Sequence, residues 1–400
     1  MPATSSLFAQ TLQLLPRDLV AGVVRRTQSD FGCKGFTTYD HLVAMLFCQL
    51  AQARSLREIS LGMKSVAGKL NHLGLTQAPA RSTLAYANAH RRATVFGQLF
   101  VRAAAYCRGF APGKKRKFRF KNRLLSLDST TIDLCLSLFP WAKFRQTKGA
   151  VKLHLLLDHD GYFPAFALVT DGKAADVTVA SVLPLAKESI VVMDRGYNDY
   201  TLFHRWTQEG VYFVTRMKAG AQYDVVAERP VPDNSRVISD EIIRLTGTSA
   251  PDDPKWLLRR IVVWDEEQQR ELVFLTNLLH LAASTIAEIY RDRWEIELFF
   301  KLLKQQLRIK SFVGTSENAL KVQLWTALLA VLLLKFMAWR SQQGLALCTL
   351  VALLRWNLFS HRDLFAWLAD PGHTPPLEAD PQPTLGFLDS IPRRSHQPAP

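Results

Sequence analysis

The sequence predicts a mixed α/β protein, a sheet layered with helices and preceded by a helical domain. Three observations carry this. Residues 38–109 repeat apolar side chains at helical spacing. Residues 123–216 alternate short β-branched runs with amphipathic segments in the order β, β, β, α, β, α, β. Residues 253–277 read as one more hairpin around a polar DEEQQ turn. At 400 residues and 48% hydrophobic content the chain can bury real cores in two or three domains.

The first residues, MPATSSLFAQTLQLLPRD, have no basic opening and their apolar stretch is broken by glutamines, a poor signal peptide. HLVAMLFCQLAQA, SLREISLGMKSVAGKL and, after a turn at NHLGL, a longer segment capped by Ser82 or Thr83 all read as helices. The last carries Asn88, Arg91 and Arg92, compatible with a helix-turn-helix reading DNA and equally with a plain helical bundle. GKKRKFRFKNR then places seven basic residues in 113–123, interrupted by Phe118 and Phe120 at strand spacing. It reads as a linker touching DNA backbone or as a charged hinge.

The strands follow. Arg123 to Leu136, Val151 to Asp158 and Tyr162 to Thr170 are apolar and β-branched, the last two flanking the turn HDG; Ile190 to Met193 and VYFVTR supply two more, with helices at AADVTVASVLPLAKE and YTLFHRWTQEG. Residues 289–308, IYRDRWEIELFFKLLKQQLR, have the 3.6-residue period of a helix. The run Leu324 to Leu334 is apolar for 11 residues and ends at Lys335, short of the ~20 a bilayer needs, so it reads as a buried helix in a cytoplasmic protein. The final 30 residues hold eight prolines and are expected to be disordered.

Lysine and arginine outnumber the acids 50 to 35, a net +15 spread along the chain, which suits a polyanionic partner, nucleic acid above all. The five cysteines are isolated and lack zinc-site spacing, as expected in a reducing compartment.

Two acids stand out by position. Asp128 follows LLSL within the first strand, and Asp194 ends the strand IVVM. A carboxylate in an apolar strand is costly unless paired or bound to a cation. If the two strands are neighbours the acids repel, and a divalent metal relieves that conflict. Glu297 is the third candidate, since on the helix it shares an arc of roughly 80° with Tyr290, Arg293, Lys301 and Lys304 while Glu295 points about 160° away. Two Mg²⁺ ions in such a site could drive in-line phosphoryl displacement, with the cations gripping phosphates. The plain alternative is a solvated face whose Glu297–Lys301 pair contributes about 0.2–0.5 kcal/mol.

DSTTID, VMDRGY and YRDRWEIELFFKLLK together resemble the DDE transposases of bacterial insertion sequences, in the group marked by Y-(2)-R-(3)-E-(6)-K, which here is Tyr290, Arg293, Glu297 and Lys304. The likeness runs through nearly the whole chain. It implies an RNase H-like core interrupted by a β-rich insertion, with residues 1–112 as a DNA-binding helical domain, 113–216 and 281–370 as the two parts of the core, 217–280 as the insertion and 371–400 as the tail. It implies Mg²⁺, with Mn²⁺ as the alternative, held as two ions by Asp128, Asp194 and Glu297, and terminal phosphates held by Tyr290, Arg293 and Lys304. It also implies cleavage at the element's inverted repeats and transfer to target DNA, in which excision can pass through a hairpin, by a homodimer on paired ends with no membrane association. Lys143, Arg145, Lys148 and Arg195 join the DNA contacts on charge alone. Where some relatives stack a flipped base on tryptophan this chain has Leu272 and Val273, leaving Trp256 and Trp264 as substitutes. Asp171 and Asp176 read as turn or cap residues and His154 as a core histidine. A catalytically inactive DNA-binding derivative and a stand-alone metal-dependent nuclease are the competing functions.

Overall fold

The computed structural model describes residues 5–66, 70–110, 117–143, 148–231, 233, 235–248, 250–306 and 312–372. The proline-rich stretch from residue 373 onward and Arg145 lie outside the described residues.

Six helices come first: α1 (Leu7–Gln13), α2 (Arg17–Thr27), α3 (Thr38–Leu50), α4 (Leu56–Ser65), α5 (Arg81–His90) and α6 (Ala93–Gly109). Their starts are set by local chemistry. Thr37 and Asp40 form a reciprocal capping box at α3, and the Ser55 hydroxyl accepts from the Glu58 amide at α4. For the longest of these helices the sequence suggested Ser82 or Thr83 as the cap. The chain instead breaks into α5 and α6 at Arg91 and Arg92, and α5 begins at Arg81 with no side-chain cap.

The β-branched runs form a single nine-stranded sheet: β1 (Leu124–Leu134), β2 (Gly149–Asp158), β3 (Phe163–Asp171), then α7 (Asp176–Ala180), β4 (Ile190–Met193), α8 (Tyr200–Gln208) and β5 (Tyr212–Arg216). This is the order of elements expected from the sequence. Next come β6 (Tyr223–Glu228), β7 (Val237–Leu245), β8 (Leu258–Asp265) and β9 (Arg270–Thr276). Strand order is β3-β2-β1-β4-β5-β9-β8-β7-β6. β1, β4 and β5 are parallel and every other pairing is antiparallel, so the four later strands extend the sheet from β5 instead of building a separate one. The four residues of β4 are buried on both faces, as a central parallel strand requires.

Four long helices and a short one close the chain: α9 (Ala283–Asp292), α10 (Trp294–Gln306), α11 (Glu317–Ser341), α12 (Leu347–Asn357) and α13 (Leu364–Ala369). On one face of the sheet Leu124, Ile190 and Val192 pack under Ile286 and Ile289 of α9, and on the other Leu125, Val191 and Met193 meet Phe203 and Trp206 of α8. The period-2 alternation of strands produces this division. A third core joins α1–α6 to α10–α13 and to β2. Its centre is α11, whose 25 largely apolar residues would be long enough for a membrane span. Since 78% of that apolar window is buried, against α3, α5, α6 and α12 among others, it serves here as the core helix of a bundle.

The stretch expected as one helix over 289–308 is interrupted at Arg293. The Arg293 amide bonds back to Tyr290 O and the Ile296 amide to Arg293 O, both at i to i−3 spacing, and Asp292 ends α9 just before Trp294 starts α10. Tyr290 and Glu297 therefore sit on two helices that meet at Arg293.

Candidate active site

Strand register brings the two aspartates together. Leu127 pairs with Met193 in the last rung between parallel β1 and β4, and the next residue on each strand is the acid, Asp128 and Asp194. Adjacent strands lie about 4.8 Å apart, so the two acids sit side by side where the parallel pairing ends, Asp128 within β1 and Asp194 just past β4. Asp128 shares a face with Leu124 and Ser126, the face covered by α9 and α10.

Arg293 ties the third acid to Asp128. Its guanidinium donates to Asp128 Oδ2 at 3.3 Å and to Glu297 Oε1 at 2.6 Å. Arg216, the last residue of β5, donates to Asp194 Oδ1 at 3.1 Å, and the Tyr290 hydroxyl reaches the same oxygen at 3.3 Å. Nothing local in the sequence marks Arg216, although it ends β5 next to the acid that follows β4. The Ser129 hydroxyl, beside Asp128, donates to Asp176 at 2.7 Å, so Asp176 also borders the site.

The electrostatics follow from crowding. Burial pushes the Asp128 carboxyl up to about 6; Arg293 and the Ser129 amide pull it down without cancelling that, and Glu297 and Asp194 add to the rise. Asp194 is less buried, and the Arg195 amide and Arg216 hold it below the usual carboxylate range despite its desolvation. Burial raises the Tyr290 phenol. Among the described residues no three His, Cys, Asp or Glu side chains meet closely enough to enclose an ion, and the Arg293 guanidinium stands between Asp128 and Glu297. The donor set itself, three carboxylates drawn to one place, suits a hard divalent cation.

The other expected DNA contacts spread around this centre. Lys301 is exposed one turn beyond Glu297 on α10, and Lys304 lies half-buried in the following turn. Arg195 is exposed in the turn after Asp194 and, with Arg216, Lys218, Arg260 and Arg270, lines a cleft of about 350 Å³. Lys143 and Lys148 are exposed on the β1–β2 connection. They lie beyond the end of β1, about 20 Å along the strand from Asp128 at ordinary strand rise, and the structure does not gather them at the acids.

Several polar residues singled out in the sequence have inward roles. Asn88 is buried against His41 at 2.7 Å, and Arg91 donates to the carbonyls of Phe36 and Thr37, so of that helical trio only Arg92 is exposed. His154 is fully buried and 2.9 Å from Thr170, as a core histidine should be. Trp256 is buried with its indole N–H toward Thr207, which removes it as a stacking platform, while Trp264 is partly exposed. From the basic linker, Lys117 pairs with Asp292.

Residues 119–333 match the family model of the transposase DDE domain, and residues 3–76 match a domain of unknown function. A transposase of Sinorhizobium fredii is 31% identical over 298 residues, covering 72% of this chain and 80% of its own length. An insertion-sequence transposase of Geobacillus stearothermophilus is 30% identical over 56% of this chain and 59% of its own, and one of a Synechocystis strain is 26% identical over 55% and 62%.

Proposed function

The chain belongs to the transposase DDE domain family, and from that premise we propose that Asp128, Asp194 and Glu297 are its catalytic acids in metal-dependent cleavage and strand transfer of DNA. The observation that carries this reading is the register of β1 and β4: Asp128 and Asp194 follow the last rung of their parallel pairing, and one guanidinium joins Asp128 to Glu297.

Family membership implies a divalent cation, and Mg²⁺, with Mn²⁺ as its substitute, matches an all-carboxylate donor set. Asp128, Asp194 and Glu297 would hold it. Once bound, such ions activate an attacking oxygen and stabilise the leaving oxygen of an in-line displacement.

The protein's own groups prepare that step. Arg293 offsets part of the charge of Asp128 and Glu297 in the free chain and keeps the glutamate close to Asp128. Tyr290 and Arg216 orient Asp194 from two sides. Lys301 and Lys304 extend the same face along α10, and Arg195 opens onto the adjacent basic cleft, a path suited to a phosphodiester backbone. Water or a 3′-hydroxyl would attack phosphorus as the bond to the departing 3′-oxygen breaks, with terminal repeats and target as successive DNA partners. A pair of ends processed together calls for two copies of the chain, and a hairpin is one route of excision.

The test is cleavage and joining of a labelled duplex made from the DNA flanking the gene, with Mg²⁺ and a target plasmid. Asp128→Ala should lower cleavage about 10³-fold or more, several kcal/mol of charge stabilisation, while duplex binding persists. Cleavage by this variant at the wild-type rate would refute the site. Wild-type cutting without joined product would identify a nuclease, and binding without cutting an inactive derivative.

A further inference from the structure

Behind the acids lies a second hydrogen-bonded chain with the connectivity of a Ser-His-Asp triad. Ser126 Oγ is 2.7 Å from His159 Nε2, and His159 Nδ1 is 2.7 Å from Asp292 Oδ2. The Tyr162 hydroxyl donates to that same carboxylate oxygen at 3.0 Å, and Lys117 Nζ takes the other. A buried carboxylate with these partners fixes the tautomer: Nδ1–H donates to Asp292, and Nε2 accepts from the serine.

The chain is built unlike a hydrolase site. Ser126 is fully buried in the middle of β1, hydrogen-bonded between β2 and β4, with neither the exposure nor the sharp turn a nucleophile needs. What it connects is more telling. Ser126 lies two residues before Asp128 on the same strand face, and Asp292 is the last residue of α9, immediately before Arg293. His159 is itself anchored, its amide donating to Leu124 O at 3.0 Å.

We propose that His159 is a positioning residue: by bridging Ser126 to Asp292 it fixes the α9–α10 junction to β1, and so sets where Arg293 and Glu297 stand relative to Asp128. The inference rests on the reading of those acids as catalytic. Burial would raise the Asp292 carboxyl, yet the hydrogen bonds from His159 and Lys117 outweigh it and hold the group at about 2, so the clamp stays charged throughout the working pH range. Lys117 brings the basic linker into the same junction, and the stacked rings of Phe118 and Phe120, 5.2 Å apart, pack there against the core under α9.

Two measurements test this on the full chain. Amide exchange of residues 294–306 without DNA reads the clamp alone, and single-turnover cleavage of the flanking-DNA duplex over a range of Mg²⁺ concentrations reads its consequence. His159→Ala should speed exchange in α10, lower the cleavage rate about 10–100-fold as loss of a supporting hydrogen-bond partner does, and raise the Mg²⁺ required, while duplex affinity stays unchanged. His159→Asn, which returns a donor near the Nδ1 position, should recover much of the rate, and Ser126→Ala should reproduce a milder form of the defect. If His159→Ala folds poorly, these two variants decide. Unchanged α10 exchange, a wild-type rate, no recovery by asparagine, or labelling of Ser126 by a fluorophosphonate would each overturn the proposal. Cleavage that survives Asp128→Ala would instead remove the catalytic reading and leave the exchange result to judge the clamp.

Discussion

Two clusters of arginine and carboxylate in this molecule share a composition and differ in every other respect. Within the added strands, Arg259 grips Asp240 with two hydrogen bonds of 2.7 and 2.6 Å and gives its remaining donors to the carbonyls of Leu278 and Leu281, with both side chains all but inaccessible at 1% and 4% exposure. Arg229 approaches the same carboxylate at 3.6 Å, and the bidentate Arg259 geometry offsets the desolvation. At the strand ends, Asp128, Asp194 and Glu297 share the guanidinium groups of Arg293 and Arg216, every contact is single, and the Nε atoms of both arginines are buried without a partner. The first arrangement holds strands together. The second leaves an excess of negative charge among the three acids, which a bound cation would offset.

Removing one carboxylate from each cluster separates the two roles. Asp240→Ala strands Arg259 in the core, and a broken buried pair costs about 3–5 kcal/mol, which urea or thermal melting would read as a large drop in stability. Cleavage per folded molecule should stay near wild type. A loss below about 1 kcal/mol would mean that water or Asp240's neighbours resolvate Arg259, and the contrast with the strand-end cluster would fail.

The sequence made one cluster legible and hid the other, for a physical reason. An acid inside an apolar strand or just after one contradicts its surroundings, so Asp128 and Asp194 announce themselves, and helical phase then selects Glu297 over Glu295. Asp240 and Arg259 sit in strands of mixed polarity, where nothing local says that the two will meet across a sheet. The same limit hid His159 and Arg216, whose partners are distant in sequence, and it left open whether Asn88 and Arg91 face DNA or, as the structure has them, brace the helical bundle from inside. The order of strands was readable from periodicity. That the later strands would continue the same sheet beyond β5 depended on edge pairing, which carries no periodic signal.

A subtler contrast concerns pH. Asp128 binds its last proton at about 6 in the folded chain and near 4 when unfolded. Between those values the native state holds a proton that the unfolded state has released, so stability from this residue is present below about pH 4 and declines as pH rises toward 6. Asp128→Asn, which keeps an acceptor for Arg293 without the charge, should therefore stabilise the metal-free protein at pH 7.5 by on the order of 1–2 kcal/mol and have no effect at pH 4. Denaturant titrations at the two pH values check this. A variant less stable than wild type at pH 7.5 would show that Arg293 already balances the acids.

The smallest effect separates two exposed arginines. Arg236 pairs with Glu266 at 2.9 Å, both side chains more than half exposed. Arg195 is exposed beside Asp194, at the mouth of the basic cleft, and among the described residues no ion pair of its own is seen. If DNA follows that cleft, Arg195→Ala should reduce the slope of log affinity against log salt by about one, the contribution of a single neutralised phosphate. Arg236→Ala should leave the slope alone, since a solvated surface pair contributes about 0–1 kcal/mol and meets no phosphate. Filter binding of the flanking-DNA duplex across a salt series measures both. Equal slopes for the two variants would move the DNA path away from Arg195 and toward the α10 face that carries Lys301.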